Sequence, residues 1–206
     1  MQQQFATMLA MQDRMNTRVH ESWPEQRFAW HRALWLECGE LIDHYGYKWW
    51  KKQTPDMEQV KLEIVDVWHF GMSMLFDGRT IDDIAVALVQ ELKEGSVKEL
   101  GVIDATEALA TTTLAQRRFS ICDFWSLLLA AEMDFDELYS AYVGKNVLNF
   151  FRQDNGYQEG TYQKQWLGRE DNEHLVEIVA EMDKKSANFA EDLYQLLDQR
   201  YRSLSA

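Results

Sequence analysis

Apolar residues recur every three or four positions along most of this chain and seldom alternate with polar ones, which is the spacing of amphipathic helices. Phe5, Met8, Leu9 and Met15, with Gln12 on the same stripe, predict a first helix ending near Asn16. Pro24 opens a second helical segment that runs to about His44 on Phe28, Ala33, Trp35, Leu36 and Ile42, and Gly46 breaks it. Thr54-Pro55-Asp56 reads as a helix start, with Thr54 as cap, Pro55 in the first turn and Asp56 at the positive end of the dipole. That helix is expected to reach Phe76, where Asp77-Gly78 stops it. Thr80 or Asp82 starts another that reaches about Leu100. Residues 101–116, rich in Ala and Thr, show no clear period. Helical patterns return over 117–131 and 135–151, Asn155-Gly156 and Glu159-Gly160 mark a loop, and Asp171 begins a last pair of helices reaching about Tyr201. With no internal repeat and no low-complexity linker, the expected fold is all-α, a helical bundle forming a single domain over residues 1–206.

Composition narrows the function. The chain has 206 residues, 46% of them hydrophobic, enough for one sizeable core. Its 34 acidic and 21 basic residues give a net charge of −13, a field that repels nucleic-acid polymers. The cations cluster locally, over 48–52 and again over 145–169, which suits a small anionic ligand. Cys38 and Cys122 lack metal-type spacing, so a reducing cytoplasm is the expected setting. No segment approaches the ~20 apolar residues of a membrane helix, so no membrane partner is expected.

Two carboxylate pairs change the picture most. Glu37 and Glu40 lie three residues apart in the second helical segment, and Glu63 and Asp66 do so in the third. Each pair projects from one helical face and is embedded in apolar sequence. Like charges so placed repel, and burial adds a desolvation cost, so a bound divalent cation is the simplest compensation. Oxygen-only ligands point to magnesium, with manganese possible. Di-iron bundles need Glu-x-x-His on two helices, and the chain offers only Asp66-Val67-Trp68-His69.

Glu37-Cys38-Gly39-Glu40, Tyr47-Lys48-Trp49-Trp50-Lys51 and Glu63-Ile64-Val65-Asp66-Val67-Trp68-His69-Phe70 resemble the all-α dimeric dUTPases, within the wider MazG-like pyrophosphohydrolases. Residues 8–16 resemble that family's N-terminal segment, and residues 145–153, continued by Gly156-Tyr157, Tyr162, Lys164, Trp166 and Glu170-Asp171-Asn172, its C-terminal motif. The resemblance implies a homodimer that hydrolyses dUTP, and dUDP, to dUMP, releasing pyrophosphate from dUTP, with water attacking the β-phosphorus. It implies that Glu37, Glu40, Glu63 and Asp66 bind magnesium, with Glu40 or Glu37 also orienting the attacking water. Lys48, Lys51, Lys145, Arg152 and Lys164 would neutralise phosphates, with Asn146, Asn149 and Tyr157 in the same substrate site. Gln12 and Asn16 would read the uracil edge, Trp49 or Trp50 would stack on the base, and His69 and Phe70 would contact the deoxyribose. Two alternatives stay open: hydrolysis of another nucleotide such as dCTP, and a non-enzymatic helical interaction module.

Overall fold

The computed structural model describes residues 1–183, 186 and 188–203. Among the described residues ten helices follow in order: α1 (Gln2–Val19), α2 (Trp23–Gln26), α3 (Trp30–Tyr45), α4 (Met57–Ser73), α5 (Ile81–Glu94), α6 (Val102–Gln116), α7 (Ile121–Ala130), α8 (Phe135–Asp154), α9 (Asp171–Ala180) and α10 (Phe189–Arg202). A two-stranded antiparallel hairpin, β1 (Gln165–Trp166) and β2 (Arg169–Glu170), precedes α9. The fold is all-α, as the periodicity predicted.

Several boundaries differ from the sequence reading, each for a local reason. Pro24 opens only the four-residue α2, because Arg27 takes a left-handed conformation (φ 49°) and turns the chain before α3 begins at Trp30. The cap of α4 is Asp56, not Thr54: its carboxylate accepts from Gln59 N–H at 3.2 Å. The α4 helix stops at Ser73 and α5 at Glu94, both short of the expected ends. Residues 101–116 hold a full helix, α6, whose buried face of Val102, Ala105, Thr106, Leu109 and Thr113 is too small and polar to show a period in the sequence. The hairpin was not anticipated; its two turn residues, Leu167 (φ 50°) and Gly168 (φ 81°), are both left-handed, the geometry that tight hairpins favour.

The core forms around α4. Trp68 is fully buried, stacked on Phe124 at 5.0 Å and tilted against Phe119 at 5.7 Å. Removing so large a buried ring costs about 3–5 kcal/mol. Gly71 permits this packing, since a Cβ there would lie 2.5 Å from the Phe119 ring. The longest helix contact joins α3 to α4, turned back on each other after Gly46 ends α3 in the left-handed region (φ 90°). α4 also meets α1 and α8, α9 and α10 both pack on α8, and a second aromatic cluster of Phe151, Trp166, Tyr194 and Tyr201 joins α8, β1 and α10.

Candidate active site

Three helices turn matching stripes toward one cleft of about 630 Å³. From α3 come Glu37, Glu40 and His44; from α4, Glu63, Asp66 and Phe70; from α8, Lys145, Asn149 and Arg152. One step of three and one of four residues put each set on a single helical face, while Leu34, Cys38 and Leu41 on α3 and Val60, Ile64 and Val67 on α4 turn into the core. Lys164, Glu170 and Asn172 close the far side.

The acidic wall is crowded. Glu37, Glu63 and Asp66 each offer an oxygen, and these lie within 4.8 Å of one another. Burial, together with the charges of Asp66, Glu63 and Glu40, pushes the Glu37 carboxyl up to about 8. Burial and the Asp66 charge also raise Glu63, with Lys145 pulling the other way. Glu40 lines the cleft but stands outside the three-oxygen cluster.

The opposite wall is cationic and already paired. Lys145 is almost wholly buried, and its Nζ lies 2.9 Å from Asp66 Oδ2. Arg152 is forked onto Asp171, and Lys164 meets Glu170 at 3.1 Å. The sequence reading treated these three as bare phosphate-neutralising charges; each arrives with a carboxylate partner.

A second cavity of about 300 Å³ adjoins the first and shares Asp66, Phe70, Asn149, Arg152 and Tyr157 with it. Its inner wall is a buried polar network. Gln12 Nε2 donates to Asn16 Oδ1 (3.0 Å) and Ser73 Oγ (3.1 Å), and its Oε1 meets His69 Nδ1 (2.8 Å) and accepts from Tyr142 (3.1 Å). Both N–H groups of the Gln12 amide are therefore used and its Oε1 faces His69, while the single Tyr142 hydroxyl proton is divided between Gln12 Oε1 and Met8 O at 3.0 Å. Asn16 donates once, to Ser73 Oγ at 3.0 Å, and accepts once, so it keeps a free N–H and a free lone pair. His69 is fully buried, which depresses its pKa to about 4 and keeps it neutral. Its Nδ1 faces an acceptor, so Nδ1 holds the proton, and Nε2 is a buried acceptor without a partner on a residue that lines the cavity.

Several expected residues lie elsewhere. Lys48, Trp49, Trp50 and Lys51 line neither cavity: Lys48 pairs with Asp43 at 2.7 Å, and the Trp49 ring is 90% exposed. Aromatic contact in the smaller cavity comes instead from Phe28, Trp30, Phe70 and Tyr157, with Trp30 stacked on Phe70 at 6.1 Å. Asn146 is buried on the other face of α8, where its Nδ2 donates to Tyr142, and lines neither cavity. Trp30 and His44 escaped the sequence reading, and Asn172 stood in the C-terminal motif without an assigned role. Trp30 was hidden because the turn at Arg27, which places it, carries no glycine signal.

An acidic cluster facing paired cations, with a small aromatic and amide-lined cavity alongside, defines the site of an all-α hydrolase for a compact, polar, multiply anionic molecule. A family model described as dUTPase matches residues 4–157, which is most of the chain and includes both cavities except the closing segment at 164–173. The chain belongs to this all-α dUTPase family and is a hydrolase of nucleotide metabolism that acts on dUTP. Comparison with curated proteins gives no match.

Proposed function

We propose that the large cleft holds the polyphosphate of dUTP together with magnesium, and the small cavity holds deoxyuridine. The observation that carries this reading is the join: a crowded carboxylate cluster opens through shared residues into a cavity with an unsatisfied amide and imidazole.

The donor set fits a hard divalent ion. Oxygens sharing one magnesium lie at most about 4.2 Å apart, twice the usual bond length, so a triad within 4.8 Å needs only a small contraction. Raised carboxyl pKa values mark charge that a cation would relieve. Glu37, Glu63 and Asp66 would hold the ion, with Glu40 at the rim completing the set. When bound, it supplies polarised phosphoryl oxygens and a more acidic water. Manganese would serve with the same ligands.

The chain's own groups do the rest. Glu40, exposed at the cleft edge, orients the attacking water toward the β-phosphorus and accepts its proton. Lys145, held by Asp66, and Lys164 face the polyphosphate. Asn16 reads the uracil edge with its free donor and acceptor, and Gln12 fixes Asn16 rather than touching the base. His69 Nε2 accepts the 3′-hydroxyl, and the Phe70 ring occupies the space a 2′-hydroxyl would need. Attack at β makes dUDP a substrate too, with dUMP as a common product.

The unit would be one domain over residues 1–206, working as a homodimer. Trp35, Leu36, Trp49 and Trp50 are 50–90% exposed, and apolar surface of that kind favours burial against a second copy. Cytoplasmic placement agrees with free, buried Cys38 and Cys122, and no described helix is long and apolar enough to cross a membrane.

A nucleotide panel of dUTP, dUDP, dCTP and UTP, run with magnesium and with chelator, tests this reading. Turnover of dUTP and dUDP only, abolished by chelator, is expected. Equal turnover of dCTP would sink the assigned base contacts. In Asn16→Ala the loss of one buried amide contact, about 1–3 kcal/mol, should shrink the dUTP/dCTP preference by roughly ten- to a hundred-fold. Hydrolysis in oxygen-18 water places label in pyrophosphate for attack at β and in dUMP for attack at α.

A further inference from the structure

The family match ends at residue 157, yet one of the five residues shared by the two cavities is held from beyond that point. Arg152 lines both cavities. Its Nε donates to Asp171 Oδ2 at 2.8 Å and its Nη2 to Asp171 Oδ1 at 2.8 Å, a fork-to-fork pair. Nη2 also reaches Asn172 Oδ1 at 3.4 Å, and Nη1 donates to Asn149 Oδ1 at 3.2 Å. A guanidinium has five N–H groups. Four have partners, and one on Nη1 is left for a ligand.

Asp171 is itself fixed. It is fully buried, its Oδ2 accepts from the Tyr162 hydroxyl at 2.8 Å, and its backbone N–H donates to Lys164 O at 3.0 Å. Burial opposes its charge, but the Arg152 fork and Tyr162 more than offset that and hold its carboxyl below the usual range. A hydrophobic pair could weld α9 to α8 at least as well as this buried ion pair. What a hydrophobic pair cannot do is hold a guanidinium with one unpartnered N–H in the lining shared by the two cavities.

We infer that Asp171, steadied by Tyr162, is a positioning residue for dUTP hydrolysis: it locks Arg152 at the junction of the cavities, where the free N–H meets the α-phosphate. This rests on the placement of nucleoside and polyphosphate proposed above. Because Asp171 neutralises Arg152, the contact acts as a directed hydrogen bond and adds little net charge. Losing Asp171 frees the cation to follow the polyphosphate. Affinity therefore survives while alignment does not.

A double-mutant cycle on the full chain tests the inference. Asp171→Asn should lower kcat by about ten- to a hundred-fold, the cost of roughly an ångström of misplacement, with KM for dUTP within about threefold of wild type. In an Arg152→Ala background the same change should produce no further loss. Tyr162→Phe keeps the fork and removes one hydrogen bond; it should give a smaller kcat loss that also vanishes in Arg152→Ala, and it serves if Asp171→Asn fails to fold. Equal losses on both backgrounds, or a shift in Tm with unchanged kinetics, overturn the role of Asp171 alone. Wild-type kinetics in Arg152→Ala overturn the placement of the polyphosphate as well.

Discussion

The acidic wall on α3 and α4 and the cationic wall on α8 and the C-terminal hairpin face the same cleft under opposite conditions. Glu37, Glu63 and Asp66 converge with Lys145 as their one close lysine or arginine among the described residues, and two of them are pushed toward the protonated form. Lys145, Arg152 and Lys164 each have a carboxylate partner in place. The unmet electrostatic demand therefore lies with the carboxylates, and it is a demand for positive charge. The cations contribute direction more than charge, because neutralised pairs cannot supply much net field. A polyphosphate alone would worsen the acidic wall, whereas a polyphosphate with divalent metal satisfies both walls.

Four outcomes would break or sharpen this contrast. The largest effect belongs to the acidic wall. Glu63→Gln and Asp66→Asn should cut turnover by about a thousandfold, since several kcal/mol of charge stabilisation are lost at tenfold per 1.36 kcal/mol. Glu63→Gln should unfold no earlier than wild type in metal-free buffer, because crowding is relieved, whereas Asp66→Asn also strands the buried Lys145 charge and should unfold earlier. Next comes Arg152→Lys, which keeps the charge and loses the fork to Asp171. A drop of about ten- to a hundred-fold in kcat/KM is expected there, and near-normal kinetics would show that charge suffices.

The third outcome is a pH slope. Glu37 has its carboxyl raised from 4.5 to about 8 in the folded chain. Between those values the folded state keeps a proton that the unfolded state has lost, so metal-free stability should fall as pH rises through that window. Thermal unfolding across the range should show the slope in wild type, less of it with magnesium, and a reduced slope in Glu37→Gln. The smallest effect is expected for Lys164→Ala. Its pair with Glu170 is about half exposed and screened by solvent, so a rise of about threefold in KM is the expected limit.

The acidic half was legible because helical geometry is local. Glu37 with Glu40, and Glu63 with Asp66, needed only a three-residue spacing and an apolar setting to be read as a site. The all-α fold was legible for the same reason. Partnership was not legible. Nothing in the spacing of Arg152 and Asp171 announces a fork across 19 residues, a hairpin and a helix start. The aromatic wall was less legible. The resemblance put the stacking role on Trp49 or Trp50, while the turn at Arg27 sets Trp30 against Phe70 in the lining of the smaller cavity. Gln12 and Asn16 were read as equals, and only the network with Ser73 and His69 separates the amide with both N–H groups used from the one that keeps a free N–H.

Steady-state dUTP turnover as a function of free magnesium, for wild type and Asp66→Asn side by side, tests the central claim most directly. No turnover in chelator, saturable activation by magnesium in wild type, and a lower maximum reached only at higher magnesium in Asp66→Asn are expected. Turnover that persists in chelator, or identical activation curves for the two proteins, would contradict a metal held by the carboxylates of α3 and α4.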